Sequence, residues 1–459
     1  MKILGTLLVL AALGGPALAS DASAPSDDHP LLREIAADVS PDELHATIAK
    51  LVSFGTRHTL SDIRSDTRGI GAARRWVKSR FEAISSSCGG CLRVETPTDV
   101  VSGERIPKPT EIMDVLAIQP GTTDPNRVVV ISGHLDSRNS DAMDATRDAP
   151  GANDDGSGVA AVIEAARVLS RHRYAATIVY AALQGEEQNL YGGALLAKYA
   201  KAQGWKVEAD LNNDIVGNIH GLSGVIDNTH VRVFSEGTKA TETQAQADRR
   251  RYNGGEVDSP SRELARYIDA LAGRYLTSLD VRMVYRTDRF SRGGDQVRML
   301  EAGFPAVRVT EAAENYTRQH QDVRTQDGVA YGDVIEGVDF PYLAQVTRLN
   351  AITLAALASA PAPTDDVKIE GAVSPDTKVS WTPSPDAAGY RVWWRDTTEA
   401  RWRDSRWAGP AGATTLKGVV IDDWFFGVSA VSADGWESPV EFPGPAGAFF
   451  GPPPAAKAP

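Results

Sequence analysis

The sequence RVVVISGHLDS at positions 127–137 is an apolar run that ends at a histidine and an aspartate. Two later segments have the same form, ATIVYAALQGEE at 176–187 and VEADLNND at 207–214, and each ends in carboxylates. Amphipathic helical patterns lie between these runs, at 158–170 and 192–204. Buried strands that alternate with such helices predict an α/β domain, with a mainly parallel mixed sheet and helices on both faces.

The candidate functional residues follow from the strand ends. Parallel sheets place their ligand sites at the carboxyl ends of the strands, and His134, Glu186, Glu187 and Asp214 all lie at or just after such ends. Imidazole nitrogen and carboxylate oxygen are ligands that suit zinc. We therefore predict a zinc site at this edge of the sheet.

The segment GANDDGSG at 151–158 places two adjacent aspartates between glycines, directly before a predicted helix. Helix capping accounts for one aspartate in such a place, but not for a pair framed by glycines. We predict that Asp154 bridges two metal ions. His320, in the polar segment RQHQD at 318–322, supplies the second imidazole. Two histidines, two aspartates and one glutamate are enough to give each of two zinc ions three protein ligands.

Further carboxylates have predicted catalytic roles. Asp136 lies two residues after His134, and we expect its carboxylate to accept the second ring N–H and fix the tautomer of the imidazole. Glu186 and Glu187 are adjacent, so their side chains point to different sides of an extended chain. One of them is then able to bind metal while the other acts as a base on a water molecule.

The ordered set GHLDS, GANDDGSG, GEE, NND and RQHQD resembles the co-catalytic dizinc aminopeptidases, family twenty-eight of the metallopeptidases, across residues 40–355. The resemblance implies one zinc ion on His134, Asp154 and Asp214, and a second on Asp154, Glu187 and His320. It also implies that Glu186 is the general base and that a cis peptide bond follows Asp154. The segment SFGTRHT at 53–59 is similar to the family as well.

The function that the resemblance implies is a zinc-dependent exopeptidase that removes N-terminal residues from peptides. Three alternatives stay open: a glutaminyl-peptide cyclase with one zinc ion, a carboxypeptidase, and a non-catalytic binding protein that keeps the fold. A binding protein of this kind is expected to lack ligands or base, and this chain keeps the five ligands and Glu186.

The chain departs from the family at Gly294-Asp295-Gln296, where many relatives have Ser-Asp-His. The role of that histidine is therefore not carried over. The residue that stabilises the tetrahedral intermediate is also open, with Tyr285, Arg292 and Tyr316 as the candidates.

The first residues have the form of a secretory signal peptide, in which Lys2 precedes an apolar run at 3–13 and the cleavage site Ala17-Leu18-Ala19. We predict a signal peptide at 1–19 and a secreted or periplasmic protein without membrane insertion. An oxidising compartment favours a structural disulfide between Cys88 and Cys91 over a redox pair or half a zinc site.

A length of 459 residues predicts more than one domain. We expect a zinc peptidase domain at 30–360, a β-sandwich at 365–445 and a flexible Pro- and Ala-rich tail at 446–459. The sandwich resembles a fibronectin type III domain, with Trp424 where that family usually has its corner tyrosine. Peptides are the expected substrates, and the net charge of -12 argues against nucleic acid. The β domain is a candidate for contact with a cell surface or a polymer.

Overall fold

The computed structural model describes residues 23–443. An α/β part extends to Ser359, and a smaller part made of β-strands follows from Asp365. The predicted signal peptide at 1–19 and the predicted tail at 446–459 lie outside the described residues.

The α/β part is built on an eight-stranded sheet with the order β1-β4-β6-β5-β7-β10-β8-β9. Its four central strands, β6, β5, β7 and β10, are parallel to one another, whereas β4 and β8 run antiparallel to their central neighbours. The mainly parallel mixed sheet is as predicted. The strands of this part are β1 (Arg93–Glu95), β2 (Thr98–Gly103), β3 (Ile106–Met113), β4 (Val115–Gln119), β5 (Asp124–His134), β6 (Ala176–Leu183), β7 (Lys206–Asn213), β8 (His230–Phe234), β9 (Asp280–Val284), β10 (Ala306–Glu311), β11 (Arg324–Gln326) and β12 (Val329–Tyr331).

Helices cover both faces of this sheet. They are α1 (Pro30–Asp38), α2 (Pro41–Val52), α3 (Gly69–Ser87), α4 (Gly156–Leu169), α5 (Tyr191–Ala202), α6 (Gln244–Asn253), α7 (Pro260–Tyr275), α8 (Gln296–Glu301) and α9 (Phe340–Ser359). On β5, Val129 and Ile131 pack with helices that include α4 and α9, while Val128 and Val130 pack with α5 and α8 on the other face. Both sets are fully buried, which is why the strand reads as an unbroken apolar run. Of the helices within residues 23–443, none has the length and apolar character needed to cross a membrane.

A hairpin formed by β2 and β3 lies outside the large sheet and was not predicted. Its turn residues are Glu104 and Arg105. Pro107 and Pro109 on β3 have no N–H to donate to a ladder, which suits a strand at an edge. The hydroxyl of Tyr191, at the start of α5, donates to the backbone oxygen of Ser102 at 3.3 Å and ties the hairpin to the large sheet's helices.

The C-terminal part consists of two three-stranded antiparallel sheets, β13-β14-β17 and β16-β15-β18. The strands are β13 (Asp365–Glu370), β14 (Thr377–Thr382), β15 (Gly389–Asp396), β16 (Asp404–Gly409), β17 (Ala413–Leu416) and β18 (Trp424–Val431). Trp381, Tyr390, Phe426, Val428 and Ala430 form its core with their neighbours, as the alternation of the sequence predicts. Trp394 packs against this core and is only partly buried. The resemblance to a fibronectin type III domain stays a prediction.

Cys88 and Cys91 form a disulfide at the end of α3. The two residues between them, Gly89 and Gly90, both have positive φ, at 75° and 85°. Glycine adopts this conformation at little cost, so the tight turn depends on these two positions.

Buried ion pairs join the C-terminal part to helix α7 and the residues before it. Arg395 on β15 contacts both carboxylate oxygens of Asp258, at 2.7 and 2.9 Å. Asp258 also accepts a hydrogen bond from Arg266 at 2.6 Å, and all three side chains are at most 3% exposed. Trp402 donates to Glu263 at 2.8 Å beside them. The two parts are therefore held together by charges shielded from water.

Replacing Asp258 by asparagine removes the carboxylate that two buried arginines share. Breaking a buried ion pair costs about 3–5 kcal/mol, so we expect Asp258→Asn to lower the free energy of unfolding by about that amount in denaturant titrations. Asp99→Asn is the matched control, because Asp99 pairs with Lys198 on the surface at 2.7 Å. Its loss is expected to cost less than about 1 kcal/mol. Equal effects of the two substitutions would contradict a stabilising role for the buried network.

Candidate metal centre

The ligands predicted from the sequence come from five separate elements. His134 is the last residue of β5, Asp214 directly follows β7, and the pair of glutamates follows β6. Because β6, β5 and β7 are parallel neighbours, their carboxyl ends meet at one edge of the sheet. Asp154 lies just before α4, and His320 comes from the segment between β10 and β11. The fold therefore brings all of these side chains to one place.

Two groups of these side chains have the spacing of metal ligands. In the first group, His134 Nε2 lies 3.1 Å from Asp154 Oδ1 and 3.7 Å from Asp214 Oδ1. In the second group, His320 Nε2 lies 3.0 Å from Asp154 Oδ2 and 3.1 Å from Glu187 Oε1. Asp154 belongs to both groups and presents one oxygen to each histidine.

The donor set fits zinc. Tetrahedral zinc with bonds of about 2.0–2.1 Å has ligand atoms about 3.3 Å apart, close to the spacing of 3.0 to 3.7 Å seen here. His134 Nε2 and Glu187 Oε1 are buried, and each lies 3.1 Å from another ligand atom. Neither of these contacts has the geometry of a hydrogen bond, and neither atom has another partner within residues 23–443. Buried polar atoms without a partner are unfavourable, and a cation in each group would satisfy them.

The electrostatics of the cluster also favour a cation. Burial alone would lower the pKa of His134, but the surrounding carboxylates, led by Glu186, raise it well above its ordinary value. Burial would also lower the pKa of His320, but Glu187 and Asp154 raise it to about 10. Carboxylates that hold both imidazoles in their charged form make this a place where metal binding would displace protons.

The carboxylate of Asp136 has a different role from the predicted one. His134 Nδ1 is 3.0 Å from the backbone oxygen of Asp136 and 3.7 Å from its carboxylate, so the backbone oxygen is the acceptor. The carboxylate instead accepts hydrogen bonds from the N–H groups of Gly185 and Glu187, at 2.9 and 3.2 Å. It also accepts from the hydroxyl of Thr59 at 2.9 Å. Asp136 therefore fixes the loop that carries the two glutamates, because the N–H groups of this tight loop need a buried acceptor.

Two further aspartates hold the backbone around Asp154. Asp333 accepts hydrogen bonds from the N–H groups of Asn153 and Asp154, at 2.9 and 2.7 Å. Asp155 caps α4 and also accepts from the N–H of His134 at 2.9 Å. The peptide bond between Asp154 and Asp155 is cis. Asp155 thus links the end of β5, which carries His134, to the loop that carries Asp154.

Arg308 on β10 supports Asp214. Its guanidinium contacts the carboxylate of Asp214 and donates to the backbone oxygen of the same residue at 3.2 Å. Burial would raise the pKa of Asp214, but Arg308 and His134 hold it below its ordinary value. The carboxylate is therefore kept ionised and oriented toward the first ligand group.

Arg308, Asp333 and Arg57 contribute to this site but were not predicted from the sequence. Arg57 is fully buried and donates to the backbone oxygens of Leu135 and Gly151, at 2.7 and 2.9 Å, next to the ligand segments. A signal existed for Arg308, because an arginine inside the apolar strand AVRVTE needs a buried partner. No comparable pattern surrounds Asp333.

A cavity of about 510 Å³ opens onto the cluster. Besides ligands of both groups, its lining includes Glu186, Arg105, Arg289 and Arg292. Arg292 was one of the three candidates for stabilising the intermediate. The other two, Tyr285 and Tyr316, are 41% and 54% exposed and are not among the residues that line the cavity.

Gln296 stands where many relatives have histidine, and it is fully buried. Its amide donates to the carboxylate of Asp288, which lies 3.6 Å from Arg308. The preceding residue, Asp295, accepts from the N–H of Gly193 at 2.8 Å. Gln296 is therefore part of the polar layer behind the cavity wall.

This fold and this site define a zinc metallopeptidase. The model of Peptidase family M28 matches residues 114–333. A protein named "Probable zinc metalloprotease" from Pyrenophora teres f. teres is 44% identical over 428 residues, which cover 92% of this chain and 88% of that protein. Another from Leptosphaeria maculans is 44% identical over 412 residues, 89% of this chain and 95% of that protein. The chain belongs to peptidase family M28.

The solved structure of Legionella pneumophila LapA aminopeptidase has a similar fold, with a TM-score of 0.52 and 19% identity. The similarity covers 74% of this chain and 78% of that chain, and at this identity it shows the fold alone. The two metalloprotease relatives match 92% and 89% of this chain. Alignments of that extent include much of the C-terminal β part, so this part is shared with those relatives.

The Asp136 contacts predict an effect on metal affinity. In Asp136→Asn, an NH₂ group replaces one oxygen that the loop N–H groups require, so we expect the loop to shift Glu187. Zinc affinity should fall by about 10- to 100-fold, the usual cost of losing support around a ligand. Competition with a chromogenic chelator measures the change. Asp141→Asn is the control, because Asp141 is exposed and accepts from the N–H of Met143. Unchanged zinc affinity in Asp136→Asn would contradict this role.

Proposed function

We propose that this metallopeptidase is an aminopeptidase that uses two zinc ions, with Glu186 as the general base. The observation that carries the proposal is the sharing of Asp154 between two groups of three ligands. Three ligand atoms in each group leave a position for water or substrate at a four-coordinate zinc ion. Glu186 belongs to neither group and lines the cavity.

Glu186 is placed to move a proton. Its Oε2 lies 4.0 Å from His134 Nε2, and its side chain is 12% exposed. Its backbone N–H donates to Asp136 at 3.3 Å, which fixes its position relative to the ligands. Bound zinc would polarise the scissile carbonyl and make a water molecule more acidic. Glu186 would take the proton of that water and give it to the leaving amine.

The shape of the cavity supports an exopeptidase. The tip of the β2–β3 hairpin, Glu104 and Arg105, lines one side of the cavity. Arg105 donates to the backbone oxygen of Glu187 at 2.9 Å, which holds the hairpin against the ligand loop. A cavity of about 510 Å³ that is bounded in this way suits one end of a peptide better than a chain running through it.

The carboxylates of the cavity support recognition of an amino end, because a protonated amine is attracted to negative charge. Glu104 and Glu186 lie in the lining without belonging to a ligand group. A cyclase with one zinc ion requires only one group of three ligands, whereas this chain has two such groups. The cyclase alternative is therefore not favoured.

The proposal extends to location and to the C-terminal part. We place the protein outside the cytoplasm after removal of residues 1–19. The sequence of the first residues supports this, as does the disulfide between Cys88 and Cys91, since disulfides persist in oxidising compartments. We assign the C-terminal part as a fibronectin type III-like sandwich, supported by its two antiparallel sheets around one core.

The aminopeptidase assignment predicts that hydrolysis requires a free amino terminus. We expect the mature protein to release the first residue from short peptides, to leave N-acetylated versions intact, and to lose activity with a chelator. Mass spectrometry identifies the products, and elemental analysis is expected to find two zinc ions per active chain. Release of the last residue from N-acetylated peptides would indicate a carboxypeptidase. Full activity with a single tightly held ion would contradict the two-zinc mechanism.

The adjacent glutamates provide a matched pair of variants. Glu186→Gln keeps the shape of the side chain but removes the proton acceptor, so we expect zinc to stay and turnover to fall by a factor on the order of 10² to 10⁴. Glu187→Gln is expected to weaken zinc binding, because Glu187 Oε1 belongs to the second ligand group. Zinc content and turnover are measured for both. Loss of zinc from Glu186→Gln and its retention in Glu187→Gln would reverse the two roles.

A further inference from the structure

Arginine side chains line the cavity beside the metal ligands, and their contacts leave donors unused. We propose that Arg292 and Arg105 bind a substrate carboxylate close to the scissile bond, so that the protein prefers acidic substrates over isosteric neutral ones. This inference rests on the proposed peptidase function.

One wall of the cavity contains Arg289 and Arg292, and the ion pairs behind it connect them to Arg232, Glu314 and Asp288. The positive charge of this wall exceeds its negative charge. Glu314 is 6% exposed and is the carboxylate that Arg232, Arg289 and Arg292 share, at 2.6, 3.5 and 3.0 Å. Arg289 also contacts Asp288 at 3.3 Å, so its charge is compensated within the wall. Arg292 has no second carboxylate partner within residues 23–443. Three guanidinium groups are thus accompanied by two carboxylates, Glu314 and Asp288, which leaves net positive charge for a ligand.

Arg292 is the accessible member of this group. Its side chain is 31% exposed, compared with 9% for Arg289. Its NH1 donates to Glu314 at 3.0 Å, which anchors the guanidinium from behind. A guanidinium has five N–H donors in a fixed plane, and this contact engages one of its nitrogens. The remaining donors are available for a carboxylate, which arginine is able to bind through two parallel hydrogen bonds.

Arg105 approaches the same cavity from the hairpin. Its NH1 donates to the backbone oxygen of Glu187 at 2.9 Å, so the guanidinium is held next to the ligand loop. A backbone oxygen carries no net charge, and the charge of Arg105 therefore stays uncompensated by this contact. The hairpin and the segment between β9 and α8 thus contribute arginines to one cavity from different parts of the chain.

Among residues 23–443, no carboxylate of the lining forms an ion pair with Arg292 or Arg105. Asp154, Glu187 and Asp214 belong to the ligand groups, and Glu104 and Glu186 are the other two carboxylates of the lining. A substrate carboxylate has two sources. It is either the side chain of an aspartate or glutamate residue, or the α-carboxylate of a dipeptide, and both offer the same two oxygens to a guanidinium.

Two pairs of nearly isosteric substrates test the proposal with the full-length mature protein. The p-nitroanilides of glutamate and glutamine differ in the side-chain carboxylate, and Ala-Ala and its amide differ in the α-carboxylate. We expect kcat/KM to favour the acidic member of at least one pair by about 10- to 100-fold, as expected for a hydrogen bond to a charged group. The pair that shows the preference identifies the source. Equal rates within both pairs would overturn the proposal.

Variants separate recognition from a general effect on structure. Arg292→Gln is expected to reduce the ratio of kcat/KM for the acidic substrate to kcat/KM for the neutral one about tenfold or more, mainly through KM. Stabilisation of the intermediate by Arg292 would lower both rates alike and leave this ratio unchanged. Arg292→Lys should restore part of the preference, and Arg292→Glu should invert it in favour of a basic analogue. Arg171→Gln is the control, because Arg171 is 52% exposed and pairs with Asp38 outside the cavity. Equal losses on acidic and neutral substrates in Arg292→Gln would overturn the assignment.

A binding measurement distinguishes failure of this inference from failure of the proposed function. Calorimetry of the acidic and neutral substrates with the Glu186→Gln protein reports recognition without turnover. Tighter binding of the acidic substrate, lost when Arg292→Gln is added, supports the proposal even if cleavage follows another chemistry. Hydrolysis of all substrates without such a difference would retain the peptidase and reject the selectivity.

Discussion

The burial of several carboxylates at one edge of the sheet is the constraint on which the rest of the structure depends. Asp136, Asp155 and Asp214 are at most 3% exposed, and Asp154 is 5% exposed. An ionised carboxylate away from water is unstable unless partners stabilise it. Backbone N–H groups donate hydrogen bonds to Asp136, and the buried Arg308 forms an ion pair with Asp214. Metal ions would bind to the two ligand groups. The glycine-framed loops follow from the same constraint, because tight turns aim several N–H groups at one acceptor.

The architecture of the α/β part was predictable because its central strands are buried on both faces. Such strands read as nearly continuous apolar runs, as in β5 and β6, and their boundaries with polar loops are sharp. The β2–β3 hairpin lacked this signal, since it is a two-stranded sheet with mostly exposed or half-buried positions. Its sequence, TDVVSG followed by IPKPTEIM, contains two prolines and no continuous apolar stripe. Strand β16 in the C-terminal part has an equally weak sequence signal, because no residue in it is fully buried.

The positions of the candidate ligands were predictable for a topological reason, since the residues after neighbouring parallel strands all lie at one edge of the sheet. Hydrogen-bond partners were less predictable. The carboxylate of Asp136 was expected to accept a hydrogen bond from His134, two residues away. It instead accepts one from the N–H of Gly185, which is 49 residues away. Sequence spacing does not indicate which of several donors pairs with a buried carboxylate, because this depends on which donors the fold leaves without another partner. The same holds for Asp333, which accepts a hydrogen bond from the N–H of Asp154, 179 residues away.

The C-terminal part also contacts the segment that follows β9, and this segment lines the cavity. Tyr285 begins this segment, and its hydroxyl donates to the backbone oxygen of Ala400 in the C-terminal part at 3.3 Å. The guanidinium of Arg262 on α7 lies 3.5 Å from the centre of the Tyr285 ring. Arg289 and Arg292 come within the next seven residues and line the cavity. One end of the arginine-bearing segment is thus held at the junction of the two parts, and its other end leads into α8. The C-terminal part therefore adds to the support of the cavity wall, although none of the candidate ligands belongs to it.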